Sequence, residues 1–375
     1  MNAAATPPAS DPAQDLRFMQ LALSLGRRTL GRAWPNPAVG AVLVKDGIII
    51  GRGWTQPGGR PHAEIEALKQ AGRGQARGAT LYTTLEPCSH QGKAPPCADA
   101  LISAGVARVV SAIEDPNPEV AGQGHEKLRA KKIAVEVGLC ADEAKLDHAG
   151  HIRRIRDGRP NILLKLALSS DEKIAGAGRK RVEITGDEAR ERVFLMRAAS
   201  DAILVGKGTI LADDPALTCR LPGMEDRSPV RVILNAKMNI PVASAVIATA
   251  RETPTWVIGA KSTSAMAEDV LRGKGVEVIR ADVGDNGFDL TAVAKMLADR
   301  GITRLMVEGG AKVAANLVKS DLVDEAMLLR GPNPIGDGVA PLEGLPLSAL
   351  IQSNSLRSYA KDTLGGDTLE HFVRP

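Results

Sequence analysis

The chain has 375 residues, enough for two domains of ordinary size. Hydrophobic residues make up 44%, so a packed core is within reach, and no apolar run approaches the ~20 residues of a membrane-spanning helix. Forty-eight basic and 44 acidic residues leave +4 with the signs interspersed, and aromatics are only 2%; neither the charge nor the stacking platforms for nucleic acid are present.

The opening MNAAATPPASDPAQ has no basic n-region and no apolar core. Residues 1–14 read as a disordered tail and not a signal peptide, with the cytoplasm as the default compartment. Four cysteines there point to metal ligands, nucleophiles or core packing before disulfides.

Leu16, Met19 and Leu23 recur three and four apart and predict the first helix. Trp34-Pro35-Asn36-Pro37 is a rigid loop, in which Asn36 either reads a heterocycle edge or shapes a turn. VGAVLVKDGIIIGRG predicts a hairpin turning at Asp46-Gly47. In PHAEIEAL, Pro61 suits the first turn of a helix, which puts His62 and Glu64 at its start, facing a common space.

TLYTTLEPCSHQGKAPPCADALISAG supplies partners for that histidine. Residues 80–85 alternate as a short strand, Pro87 stops it, Cys88 follows, and Cys97 opens an apolar helix where the dipole favours a thiolate. His62, Cys88 and Cys97 make three ligands, the count of a catalytic zinc site with a fourth position left for water. Glu64 is then a base beside that water. The order matches H-x-E…P-C-x-x-C of the zinc deaminases of nucleobases, except that eight residues separate the cysteines here. His90 and Lys93 fall between the cysteines, either as an anion site or as a solvated loop.

A helix after Cys97, strand ARVVSAIE, a polar helix over 125–132 and a strand over 133–137 complete an α/β/α layer with the site at strand ends. Cys140 and Cys219 read as packing residues, and His125, His148, His151 and His371 as solvated.

Residues 147–160 are charged and carry no strand pattern, so the boundary falls here: one domain over 15–148, a linker over 149–159, a second domain over 160–375. The second run has strands NILLKLALS, DAILVG, VRVILN, PTWVIG, VEVIR and RLMVEGG with helices DEARERVFLMRAA and LTAVAKMLADRG, indicating a largely parallel sheet. Gly206, Gly208 and Thr209 follow one strand, ahead of Asp213-Asp214; Glu308-Gly309-Gly310 follow another. Such turns either admit a pyrophosphate or permit close packing. GRKR, 178–181, reads as a solvated cluster.

TLEPCSHQGKAPPCADALI, PNPAVGAVLV and GRPHAEIEAL closely resemble the bifunctional riboflavin biosynthesis deaminase/reductase family, whose cysteines share the eight-residue gap. KLALSSDEKIA, VGKGTILADDPALTCR and VEGGAKVAANL resemble its reductase domain, so the match runs from about residue 15 to the C-terminus. The resemblance implies an α/β protein: an N-terminal cytidine-deaminase-like α/β/α domain followed by a dihydrofolate-reductase-like α/β domain. It implies zinc on His62, Cys88 and Cys97, Glu64 as proton shuttle, and the first substrate on Asn36, His90 and Lys93. In the second half it implies NADPH on Ala167, Thr209, Asp213, Gly309 and Gly310, and the second substrate on Arg197, Leu217, Arg220 and Glu308. The implied chemistry is hydrolytic deamination of a diamino-ribosylamino-pyrimidinone 5′-phosphate, then reduction of its ribosyl group to ribityl. Partners would be phosphorylated pyrimidines, without nucleic acid or membrane, in a homo-oligomer.

The chain departs from the family pattern Gly-x-Ser-x-Trp-Ile-Thr, reading Arg179-Lys180-Arg181-Val182-Glu183-Ile184-Thr185, and has Ala236 where Ser or Thr is frequent. Arg181 either gives a cation to a phosphate or pairs with Glu183 in solvent. The competing readings are a nucleic-acid base deaminase with a fused accessory domain and a zinc-stapled binding module, which would need a fourth protein ligand.

Overall fold

The structure, a computed structural model, describes residues 11–90, 95–285 and 287–375. The chain divides between Gly158 and Arg159 into two compact units.

The first unit starts with α1 (Pro12–Arg27), capped by Asp11, whose carboxylate accepts the N–H groups of Ala13 and Gln14. Residues 12–14, expected in the tail, are therefore helical. Then follow β1 (Gly40–Lys45), β2 (Ile48–Trp54), α2 (Ala63–Ala71), β3 (Thr80–Thr83), α3 (Cys97–Ala104), β4 (Arg108–Ser111), α4 (Gln123–Ala130), β5 (Ala134–Val137), α5 (Ala141–Asp147) and α6 (Ala149–Asp157). The sheet order is β2-β1-β3-β4-β5, with β1 antiparallel to both neighbours and the rest parallel. Its core runs from Phe18 and Met19 through Val42, Leu43 and Leu81 to Val109.

Glycines set the distance between helices and this sheet. A Cβ on Gly40 would lie 1.9 Å from the Ala22 carbonyl oxygen of α1. On Gly51 and Gly53 it would lie 2.1 and 2.0 Å from the carbonyl oxygens of Ala67 and Ala63 in α2. Gly53 pairs with Ala41, the neighbour of Gly40, so α1 and α2 cover opposite faces. The absence of side chains lets α2 lie directly on the β2 edge.

Two expectations change. Residues 149–157, expected in a linker, are helix α6 and belong to the first unit. Gly150 is buried and Ile152 packs on the core, an apolar face masked by the three arginines and one aspartate around it. The four histidines are not solvated. His125 and His148 are buried, with Nε2 3.0 Å from Ser111 Oγ and Thr84 Oγ1 respectively. Neither ring nitrogen of His151 reaches solvent, and His371 meets Glu325.

The second unit holds β6 (Asn161–Leu168), β7 (Ala175–Gly176), α7 (Asp187–Ala198), β8 (Ala202–Gly206), α8 (Lys207–Asp213), β9 (Val230–Leu234), α9 (Ala245–Ala248), β10 (Thr255–Ala260), α10 (Ala265–Gly273) and β11 (Glu277–Ala281). It continues with β12 (Val283–Gly284), β13 (Gly287–Phe288), α11 (Leu290–Asp299), β14 (Arg304–Val307), α12 (Ala311–Lys319), β15 (Glu325–Arg330), β16 (Gly338–Val339), α13 (Ser348–Ser353), β17 (Arg357–Leu364) and β18 (Asp367–Val373). The main sheet runs β11-β10-β9-β8-β14-β6-β15-β18-β17. It is parallel from β11 to β15, and β18 and β17 add antiparallel at the far edge. All five residues of β9 are buried, Arg231 among them, as in a strand covered on both faces. The carboxylate of Asp201, before β8, accepts the N–H groups of Thr303 and Arg304 at 2.7 and 2.9 Å and so aligns β14 beside it. Among the described residues, no helix is long and apolar enough to cross a membrane.

Candidate active sites

In the first unit three side chains converge from two element starts and one strand exit. His62 is the N-cap of α2, Cys97 is the first residue of α3, and Cys88 lies five residues beyond the end of β3. Pro61 therefore precedes the cap and does not occupy the first turn. His62 Nδ1 lies 3.3 Å from Cys97 Sγ and 3.7 Å from Cys88 Sγ. Within the described residues the cluster is these three, with all ligand atoms inside 4.8 Å of one another.

The donor set suits zinc. The Cys97 amide at the start of α3 donates to Cys88 Sγ at 3.3 Å, so the helix terminus faces that sulfur. The Cys97 thiol, His62 and the Cys97 amide draw Cys88 down to about 4. The Cys88 sulfur and burial push Cys97 upward in turn. A divalent cation held by His62, Cys88 and Cys97 would favour both sulfurs as thiolates. Glu64 stands in the first turn of α2, 3% exposed, where burial and then the Cys88 charge push it up to about 7.

The surrounding loops are fixed to these ligands. Asn36 donates from Nδ2 to the Gly59 carbonyl at 2.8 Å, which ties its loop to the segment entering His62. His90 is exposed; Lys93 lies outside the described residues. Sequence reasoning missed Glu86. Its buried carboxylate accepts the N–H groups of Asp115, Gly122 and Gly124 at 3.0, 2.9 and 2.7 Å. A Cβ on Gly124 would sit 2.1 Å from the Pro87 carbonyl oxygen, so the α4 start is seated against the Cys88 segment. The available signal was a carboxylate inside the otherwise uncharged stretch TTLEPC.

In the second unit a cleft of ≈ 840 Å³ opens at the carboxyl ends of β6, β8 and β14, within the size range of ligand sites. Ala167, Thr209, Asp213, Gly309 and Gly310 line it together with Arg197, Leu217, Arg220 and Glu308. Arg197 forks onto Glu308 at 2.7 and 3.0 Å and donates to the Thr218 carbonyl at 3.0 Å. Burial opposes the Glu308 charge, but Arg197 and then Lys165 hold its carboxyl below the ordinary glutamate value. Arg220 lays its guanidinium over the Phe194 ring, 4.9 Å from the centroid, without a carboxylate partner among the described residues. Leu217 is buried in a left-handed conformation, φ +56°.

Two contributors here were not foreseen. Lys165, one lysine in the apolar strand NILLKLALS, shares a β6 face with Ala167 and reaches to 3.9 Å from Glu308; burial holds it below the ordinary lysine value. Arg231, fully buried, donates to the Ala216 carbonyl at 3.2 Å and so fixes the backbone beside Leu217. The expected pairing of Arg181 with Glu183 is not formed. Glu183 pairs with Arg190, which also holds Asp187 at 2.6 Å.

Residues 12–113 match the cytidine and deoxycytidylate deaminase zinc-binding region, and residues 160–364 match the RibD C-terminal domain. The riboflavin biosynthesis protein RibD of Aquifex aeolicus is 40% identical over 360 residues, 96% of this chain and 98% of the relative. The structure of Acinetobacter baumannii RibD superposes with a TM-score of 0.84 at 33% identity, covering 97% of this chain and all of that one. A Thermotoga maritima diaminohydroxyphosphoribosylaminopyrimidine deaminase/5-amino-6-(5-phosphoribosylamino)uracil reductase does so at 0.83 and 33%, covering 97% and 99%.

Proposed function

Because the chain belongs to the RibD family of bifunctional riboflavin-biosynthesis deaminase/reductases, we propose that its two units act in turn on one pyrimidine nucleotide. The first removes ammonia hydrolytically from 2,5-diamino-6-ribosylamino-4(3H)-pyrimidinone 5′-phosphate. The second reduces the ribosyl chain of 5-amino-6-(5-phosphoribosylamino)uracil to ribityl with NADPH. The observation that carries this reading is a three-ligand metal cluster beside a buried carboxylic acid, His62, Cys88 and Cys97 with Glu64.

His62, Cys88 and Cys97 would hold the zinc, which when bound would lower the pKa of a water from 15.7 to near 7. Glu64, poised near neutrality, takes a proton there and delivers it to the departing amine. Asn36 presents its side-chain oxygen to the ring edge. His90 and Lys93 are assigned to the phosphate.

NADPH supplies the hydride for the second step. The Glu308-Gly309-Gly310 and Gly206–Thr209 turns, with Ala167 and Asp213, receive the cofactor, because glycines let backbone N–H groups approach phosphate. Each nitrogen of Arg197 already has a partner, so Arg220 is the freer guanidinium for the substrate phosphate. Glu308 remains ionised at the cleft floor and accepts hydrogen bonds from the substrate beside Leu217. The protein's part in this step is mainly positioning.

The same reading expects a cytoplasmic homo-oligomer acting on free nucleotides. Ammonia release from the free pyrimidine nucleotide, compared with RNA, tests the deaminase; NADPH oxidation dependent on that product tests the reductase. Ammonia from RNA alone would make this a nucleic-acid deaminase instead. Light scattering on the eluted protein tests the oligomer.

A further inference from the structure

Arg179 occupies a left-handed conformation, φ +64°, on the turn after β7. Its guanidinium lies against the β8–α8 turn: a Cβ built on Gly208 would be 3.8 Å from Arg179 Nη1. The second glycine turn is adjacent, since a Cβ on Gly310 would be 3.9 Å from Thr209 Oγ1. Arg179, Gly208, Thr209 and Gly310 line the same cleft. The arginine thus stands beside the meeting point of two turns, where only Arg179 approaches Gly208 and only Thr209 approaches Gly310 within 4 Å among the described residues.

The segment carrying it is held in place. Ile184 packs its carbonyl where a Cβ of Gly331 would be, 1.9 Å away, and the Gly186 N–H donates to Asp367 at 2.7 Å. Glu183 is committed to Arg190. Among the described residues Arg179 itself has no ion pair. Eight cationic and four anionic side chains line the cleft, so the excess charge calls for an anionic ligand.

We propose that Arg179 closes over the two turns and donates to the pyrophosphate of the bound dinucleotide. This rests on the reductase reading given above. Pyrophosphate is favoured over the cofactor's 2′-phosphate and the substrate's 5′-phosphate by position. Gly310 caps α12 without any side-chain hydrogen bond, and Gly208 leaves the neighbouring backbone open, so amides and guanidinium converge on one anion.

The test is equilibrium binding of NADPH and of NADH to the full chain, read by nucleotide fluorescence and calorimetry without turnover. Arg179→Gly is the variant of choice, because glycine adopts the same φ without strain; an unchanged melting temperature verifies the fold. Both nucleotides should bind about tenfold more weakly, as for loss of a hydrogen bond to a charged group. The loss should shrink with added salt, and Arg179→Lys should recover part of it. Unchanged binding of both overturns the proposal. A loss confined to NADPH overturns it in favour of the 2′-phosphate, and a change only in the KM of the phosphorylated substrate does so in favour of the 5′-phosphate. Wild-type protein that binds neither nucleotide would instead sink the reductase reading.

Discussion

Arg197 meets Glu308 in a two-pronged ion pair, Nε to Oε1 at 2.7 Å and Nη2 to Oε2 at 3.0 Å, with Lys165 Nζ 3.9 Å from the second oxygen. One largely buried anion therefore balances two cations, joining the residue after β14 to α7 and β6. Glu308→Gln would leave both cations without a counter-charge, and breaking a buried pair from one side costs roughly 3–5 kcal/mol. The expected outcome is a lower unfolding transition for the second unit and loss of product-dependent NADPH oxidation, with ammonia release retained. A variant with full reductase activity would show that the charge of Glu308 is dispensable.

The distance between β2 and α2 gives a second expectation. Gly53 faces Ala63, the residue between His62 and Glu64, and a Cβ there would sit 2.0 Å from the Ala63 carbonyl oxygen and 2.6 Å from the Ala67 nitrogen. Both atoms are backbone, so Gly53→Ala must displace the first turn of α2. Overpacking of this kind costs about 1–3 kcal/mol, and here it also moves a metal ligand. Zinc per chain, measured after gel filtration, should fall below one, and ammonia release should fall with it.

Local chemistry made the metal cluster legible. Histidine after proline, and two cysteines beside prolines at element ends, are short-range patterns, and the structure brings all three side chains together. Strands such as VRVIL and RLMV were readable because burial on both faces makes them apolar at every position but the one arginine each carries. Helix α6 was not, since Gly150 and Ile152 supply too little apolar stripe against its charges. Helices α9 and α10 and the C-terminal strands β17 and β18 also escaped: α9 has four residues, and β17 is largely exposed at a sheet edge. Glu86, Lys165 and Arg231 act through partners distant in sequence, which periodicity does not register.

Glu64 and Cys88 should separate by metal content. Glu64→Gln is isosteric and removes no ligand, so zinc should remain stoichiometric. Ammonia release should fall by roughly 10²–10⁴, the usual value of general acid–base catalysis. Cys88→Ala removes one of three donors and should lose metal and activity together. Retained zinc in that variant would mean another group holds the ion.

A fragment ending at Gly158 should fold, bind zinc and release ammonia without nicotinamide, because the first unit closes there. One ending at His148 should be markedly less stable. It lacks α6, including buried Gly150 and Ile152, which packs on the core, and leaves as its last residue the imidazole that meets Thr84 at 3.0 Å. Equal melting temperatures for the two would show that α6 adds nothing to the first unit.

Glu325 links the stability of the second unit to pH. Its carboxylate accepts Asn161 Nδ2 at 2.6 Å and Arg304 Nη2 at 3.2 Å, and lies 3.1 Å from His371 Nε2. Burial opposes its charge, but Arg304, His371 and Asn161 together hold it below the ordinary glutamate value. A carboxyl depressed in the folded state contributes stability that is fully present above its unfolded pKa, about 4.3. That contribution is lost as pH falls from there through the depressed value, because the unfolded chain takes up the proton first. Glu308, also depressed, titrates in the same direction, so the wild-type slope sums at least two groups. The difference between wild type and Glu325→Gln isolates one of them. Denaturant melts between pH 3 and 7 should show Glu325→Gln less stable at neutrality, with the gap closing below about pH 4.3 by no more than about 1.4 kcal/mol per pH unit. A gap that stays constant across that window would mean the carboxylate contributes by shape and hydrogen bonding alone, and that its proton is not linked to folding.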